Sequence, residues 1–162
     1  MLAVGSTAPD FSATLDDGTP FKLSEFRGKQ NVVLYFYPKD FTPGCTKEAC
    51  SFRDSYGEIA AYDAIIFGVS GDDTSSHARF RETHRLPFPL IPDPDKAIIK
   101  LYEAKGTLGL MTARATYVID KMGVIRAAIR HDFRVGEHVP EVLAALEAFQ
   151  PKAAAAAPEP PR

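Results

Sequence analysis

The chain has 162 residues, 45% of them hydrophobic, which suits one globular domain with its own core. Its 19 Lys and Arg are balanced by 21 Asp and Glu, so no excess of positive charge points to nucleic acid or membrane headgroups as partners. No apolar run approaches the roughly 20 residues that span a bilayer, and Met1 to Gly5 has neither the basic region nor the hydrophobic stretch of a secretory signal.

In chain order, residues 11–15 and 21–23 flank the turn Asp16-Asp17-Gly18 and read as an N-terminal β-hairpin. Ser24 opens a short helical turn that ends at Gly28. Residues 31–37 are a buried strand, and Pro43 starts a helix expected to run to about Tyr62, with Gly57 as a weak point. Residues 64–69 form a second continuous apolar strand, the pattern of a sheet covered on both faces. Asp73 or Thr74 caps a helix to about Arg85, and residues 88–91 are a short strand whose proline suits an edge. A short helix at 95–102 and a loop at 105–113 follow. Residues 115–119 and 124–130 then make a hairpin that turns at Asp120-Lys121-Met122-Gly123, and 139–149 is an amphipathic helix. Alternation of strands and helices closed by a hairpin predicts a layered α/β domain over residues 1–150 with a mixed sheet. Residues 151–162, mostly alanine and proline, have no periodicity that could build a core and are expected to be a disordered tail.

The chemistry concentrates in Pro38-Lys39-Asp40-Phe41-Thr42-Pro43-Gly44-Cys45-Thr46-Lys47-Glu48-Ala49-Cys50, which follows the first buried strand and holds both cysteines. Thr42 fits a helix N-cap and Pro43 the first helical position. Cys45 then lies in the first turn, where free backbone N–H groups and the helix dipole favour an anion and hence a reactive thiolate. Five residues on a helix separate Cys45 and Cys50 by about 8–9 Å at Cα, beyond the roughly 7 Å that a disulfide spans. A pair that bonds only after the helix unwinds suits a reaction cycle better than a permanent staple. C-x4-C is also not the C-x2-C of thiol–disulfide reductases or zinc knuckles. Two cysteines so placed argue for a reducing compartment, with the cytoplasm as the expected location.

The string P-x-x-x-T-P-G-C-T-x-E-A-C resembles the active-site signature of the peroxiredoxins, of the bacterioferritin-comigratory or Q type. The likeness runs from about Gly5 to about Phe149 and includes Ala8-Pro9-Asp10-Phe11, Gly68-Val69-Ser70, Ser76-His77 with Phe80, Leu86-Pro87-Phe88 and residues 114–120. The resemblance implies a thioredoxin-like fold and a thiol peroxidase acting on hydrogen peroxide and organic hydroperoxides, with thioredoxin or a related dithiol protein as reductant. It implies that Cys45 is the peroxidatic nucleophile and Cys50 the resolving cysteine, bonded to it in an intramolecular disulfide. Thr42 would contact the thiolate and the peroxide, Arg114 would stabilise the leaving oxygen, and Glu48 would join the polar network that holds the arginine.

Pro38 and Pro43 would shape the pocket, and Gly44 would allow a close backbone approach. Lys39 and Asp40 are expected at the surface or as positioning residues. Phe41 stands where relatives often carry a polar residue, with an expected effect on pocket polarity. His77, His84, His131 and His138 form no H-x3-H pair, so solvated or capping positions are expected and no metal or other cofactor is implied. Both cysteines lie in one helix, so the cycle needs no second subunit and a monomer is expected.

Overall fold

The strand Asn31–Phe36 (β3) is apolar at every position after Asn31, and all six residues are buried, because the sheet it centres is covered on both faces. In the computed structural model, which describes residues 1–109 and 111–153, β3 is the middle of a five-stranded sheet. Ala64–Ser70 (β4) and Leu90–Pro92 (β5) extend it on one side in parallel register. Ala115–Ile119 (β6) and Ile125–Arg130 (β7) extend it antiparallel on the other, giving the order β5-β4-β3-β6-β7. The hairpin Ser12–Thr14 (β1) and Pro20–Lys22 (β2) is a separate two-stranded sheet. This is the mixed α/β architecture that the strand pattern predicts.

The period-two alternation of β3 sorts the core into two layers. Val32, Leu34 and Phe36 join Phe11, Phe21, Phe67, Tyr102 and Tyr117 under the hairpin and the short helix Ala97–Leu101 (α4). Val33, Tyr35 and Tyr37 face the opposite layer, formed by Pro43–Asp54 (α1), Tyr56–Ala60 (α2), Thr74–His84 (α3) and His138–Phe149 (α5). Tyr35 stacks on Phe52 of α1 at a centroid distance of 4.6 Å, which fixes that helix against the central strand.

The long helix expected from Pro43 to Tyr62 is divided. Ser55 leaves the helical region at φ −103°, ψ 8°, two residues before the expected weak point at Gly57. Ser55 donates its N–H to the Ser51 carbonyl as α1 ends, and α2, which follows it, buries Ile59. The edge strand β5 begins two residues later than expected and includes Pro92, tolerated because an edge position needs no donor there. Asp73 caps α3 as expected, its side chain accepting from Ser76 N–H at 2.8 Å.

Register decides where the motif meets the rest of the chain. Phe36 pairs with Ala115, so Arg114, one residue before β6, stands beside the exit of β3 into the Pro38–Thr42 loop. Of the expected tail, Pro151 to Ala153 are described and Ala153 donates its N–H to the Ala61 carbonyl; residues 154–162 lie outside the described residues. Among the described residues no helix is long and apolar enough to cross a membrane.

Candidate active site

Pro43 opens α1 with Thr42 at the N-cap position, and the first intrahelical bond runs from Thr46 N–H to the Thr42 carbonyl. The N–H groups of Gly44 and Cys45 precede that bond and point out of the helix start. Cys45 is 1% exposed and packs in the layer with Tyr35, Ala49 and Phe52. Arg114 reaches it from the β6 edge, with Nη1 at 3.1 Å from Sγ. The guanidinium is fixed at its other side by Asp132, whose carbonyl accepts from Arg114 Nε at 3.0 Å and whose carboxylate accepts the Arg114 backbone N–H. A fixed cation against a buried sulfur offers charge to an oxygen leaving beside it.

Glu48, one turn along α1, is fully buried with Oε1 at 3.5 Å from Arg114 Nη1. Its second oxygen faces His138 Nε2 at 3.4 Å. Burial pushes its carboxyl up to about 8, with the Arg114 guanidinium opposing. Gly44 is required by the same cation: a Cβ there would lie 2.6 Å from Arg114 Nη2. Close approach was legible in the sequence, but the group approached was not.

Thr42 differs from one expectation. Its hydroxyl donates to the Lys39 carbonyl at 2.8 Å and makes no cap bond to the helix. Its backbone is extended as an N-cap should be, but the loop turns a carbonyl within nearer reach than the N–H groups. Cys50 is a free, partly exposed thiol on the same unbroken helix as Cys45. Pro38 lines a cavity of about 370 Å³ together with Met111, Thr112, Arg114 and Phe133. Phe41, at φ 64°, turns its ring onto Phe80 at 5.1 Å and near His84 of α3, and is not among the residues lining that cavity.

The histidines are not all at the surface. His77 and His138 are completely buried, each tied to a polar partner that lies far away in sequence. Asp40 is also buried, where a surface position was one expectation. Its carboxylate accepts from Tyr37 Oη at 2.6 Å and Ser76 Oγ at 2.8 Å, and lies 2.8 Å from His77 Nδ1. The Asp40 N–H in turn donates to Asp72 at 2.9 Å. Atoms of Asp40, Asp72 and His77 lie within 4.8 Å of one another, a spacing open to a cation. They already bond to one another and to Ser70, Tyr37 and Ser76, so the cluster anchors the loop before α1 to the start of α3.

The family model described as AhpC/TSA matches residues 4–128. The chain belongs to the AhpC/TSA family. A chloroplastic peroxiredoxin Q of Sedum lineare is 42% identical over 147 residues, 90% of this chain and 78% of the relative. Peroxiredoxin Bcp of Bacillus subtilis is 40% identical over 159 residues, 93% of this chain and 99% of the relative. Among solved structures, peroxidoxin BcpB of Mycobacterium tuberculosis superposes with a TM-score of 0.85 at 36% identity, covering 93% of this chain and all of that one. Peroxiredoxin Q of Xanthomonas campestris gives 0.82 at 32% identity, covering 92% and 97%. The chain is therefore a peroxiredoxin of the Q/Bcp type and a thiol peroxidase, acting on hydroperoxides at the expense of a thiol reductant.

Sequence reasoning on this peroxiredoxin missed Asp132, Thr116 and His138. They lie 66, 82 and 88 residues beyond Cys50 for Thr116, Asp132 and His138, and no local spacing marks them as neighbours of the motif.

Proposed function

We propose that Cys45 is the peroxidatic cysteine and that Cys50 resolves it within the same chain. The observation that carries this reading is the 3.1 Å contact between the Arg114 guanidinium and the buried Cys45 sulfur on the first turn of α1. The Cys45 thiolate attacks one peroxide oxygen; an S–O bond forms, the O–O bond breaks, and the released oxygen takes a proton to leave as water or alcohol. Cys45 is thereby oxidised to sulfenic acid. Arg114 and the N–H groups of Gly44 and Cys45 stabilise the charge that builds on the departing oxygen. In this reading Thr42 contacts the thiolate and the peroxide, while Pro38 and Pro43 shape the pocket. The cavity beside Arg114 gives an organic hydroperoxide room for its carbon chain.

Cys50 then attacks the sulfenic sulfur, forming the disulfide and releasing water. On a regular helix the two Cα atoms stand about 8–9 Å apart, so the first turns of α1 unwind for this step. A dithiol protein of the thioredoxin class takes the disulfide back to two thiols. We read the working unit as a monomer, because both cysteines belong to one helix, and its location as the reducing cytoplasm.

The test is the intact mass of reduced protein after one equivalent of hydrogen peroxide. A loss of about 2 Da with a Cys45–Cys50 crosslink is expected, whereas a gain of about 16 or 32 Da would assign resolution to an external thiol. Cys45→Ser is expected to abolish peroxide reduction. Cys50→Ser is expected to react once and then fail to turn over with thioredoxin, thioredoxin reductase and NADPH.

A further inference from the structure

We infer that His138 is a positioning residue for the peroxide reaction: anchored by Thr116, it holds Glu48, and through Glu48 it aims Arg114 at Cys45. The inference rests on the reading of Cys45 as the attacking sulfur. Four elements meet at this chain of contacts, and none of them is adjacent in sequence to the motif except α1.

The direction of each contact follows from the chemistry of the partners. His138 Nε2 lies 3.1 Å from the His131 carbonyl oxygen, which can only accept, so Nε2 carries the hydrogen. The Nδ1 atom is then an acceptor, and the Thr116 hydroxyl at 2.9 Å donates to it. Thr116 belongs to β6, two residues after Arg114, so one strand edge supplies both ends of the contact chain. The same Nε2–H faces Glu48 Oε2 at 3.4 Å, and Glu48 Oε1 faces Arg114 Nη1 at 3.5 Å. That Nη1 is the atom 3.1 Å from Cys45 Sγ.

Neither Glu48 oxygen makes a full hydrogen bond, and the residue has no exposure to solvent. A buried carboxyl group in that condition moves towards any stronger partner unless something holds it. Among the described residues the one charged donor in reach is the guanidinium, and a shift towards Glu48 takes Arg114 off the sulfur. A donor on the far side of Glu48 opposes that shift. His138 is placed there.

The charged and titratable groups around the imidazole are Glu48 from α1, Arg114 from the β6 edge, His131 after β7 and Glu141 on α5 itself; the Tyr35 hydroxyl of β3 lies near Glu48. Burial lowers the pKa of His138, while its bond to the His131 carbonyl raises it, which fits the neutral ring required by a single Nε2–H.

The experiment uses the full-length, reduced Cys50→Ser protein, in which Cys45 is the one thiol. Two quantities are read: the rate constant for one turnover with hydrogen peroxide, and the pH at which iodoacetamide alkylation of Cys45 is half maximal. His138→Leu is expected to slow the peroxide reaction about tenfold and to raise the alkylation midpoint by about one unit. His138→Gln restores an N–H donor and is expected to return both to within about threefold of the parent. Val142→Ala, equally buried on α5, is expected to lower thermal stability without changing either quantity. Thr116→Val keeps the volume and removes the donor to Nδ1, so it shifts both quantities in the same direction and decides the matter should His138→Leu not fold. A folded His138→Leu or Thr116→Val protein with the parent's rate and midpoint would overturn the inference, as would Val142→Ala reproducing both changes. Failure of the parent itself to react with peroxide would instead count against the proposed role of Cys45, and the alkylation profile would still test His138.

Discussion

Replacing Gly44 by alanine separates what α1 needs for stability from what the site needs for reaction. Gly44 is an ordinary helical residue near the start of α1, so alanine gains roughly 0.5–1 kcal/mol of backbone stability there. The added Cβ, however, would lie 2.6 Å from Arg114 Nη2 and 3.2 Å from Cζ. Ordinary contact requires about 3.4 Å, so the guanidinium must retreat by about 0.8 Å. Because it ends a flexible side chain, the retreat strains no backbone. Its cost is a weakened bond from Nε to the Asp132 carbonyl, worth about 1 kcal/mol. The two terms nearly cancel, and Gly44→Ala is expected to match the native protein in a urea unfolding curve to within about 1 kcal/mol. The contact of Nη1 with Cys45 Sγ, now 3.1 Å, does not survive such a displacement. A misplacement near 1 Å costs up to about 100-fold in rate, so a fall of roughly ten- to a hundredfold is expected for the first oxidation of Cys45. Stopped-flow peroxide consumption over a single turnover measures it directly. A Gly44→Ala protein of native stability that reacts within twofold of the native rate would refute the reasoning that fixes Arg114 over the helix start.

Two further outcomes are expected from the buried groups. The Glu48 carboxyl titrates at about 8 in the folded protein against an ordinary 4.5, so between these values the native state holds a proton that the unfolded chain has released. Its stabilising contribution is whole below about 4.5 and is lost as pH rises through about 8. Glu48→Gln is always neutral and is therefore expected to gain stability relative to the native protein between about pH 5 and about pH 9, by at most about 5 kcal/mol. Parallel pH profiles of urea midpoints for the two proteins would exclude this. Asp40→Ala leaves Tyr37, Ser76 and His77 without the carboxylate they share. A loss of about 3–5 kcal/mol in urea unfolding is expected, with a slower reaction at Cys45 because the Pro38–Thr42 loop loses its tie to α3; a loss under about 1 kcal/mol would show that the cluster is not the anchor of the loop.

Local chemistry determined by itself a large part of this protein. The apolar run of β3, the Thr42-Pro43 helix start and the position of Cys45 in the first turn follow from side chains within a dozen residues, because an apolar run and a proline fixed at the first helical position act locally. The same range explains the cap at Asp73 and the wide separation of Cys45 from Cys50 on an intact helix. Local signals also erred by small amounts: the break of the long helix came at Ser55, two residues before Gly57, and the segment after it buries Ile59.

What only the tertiary structure decided is the set of partners. The pairing of Phe36 with Ala115 brings Arg114 to the sulfur across 69 residues, and a shift of one residue would turn that side chain to the other face of the sheet. Burial of His77, His138 and Asp40 was likewise invisible, since a polar residue enters the core only where distant groups satisfy it, and those groups are assembled by the fold. The sequence by itself determined which thiol stands ready to react; the tertiary structure decided which cation, carboxylate and imidazole surround it, because sheet register and helix packing act between residues that local spacing cannot connect.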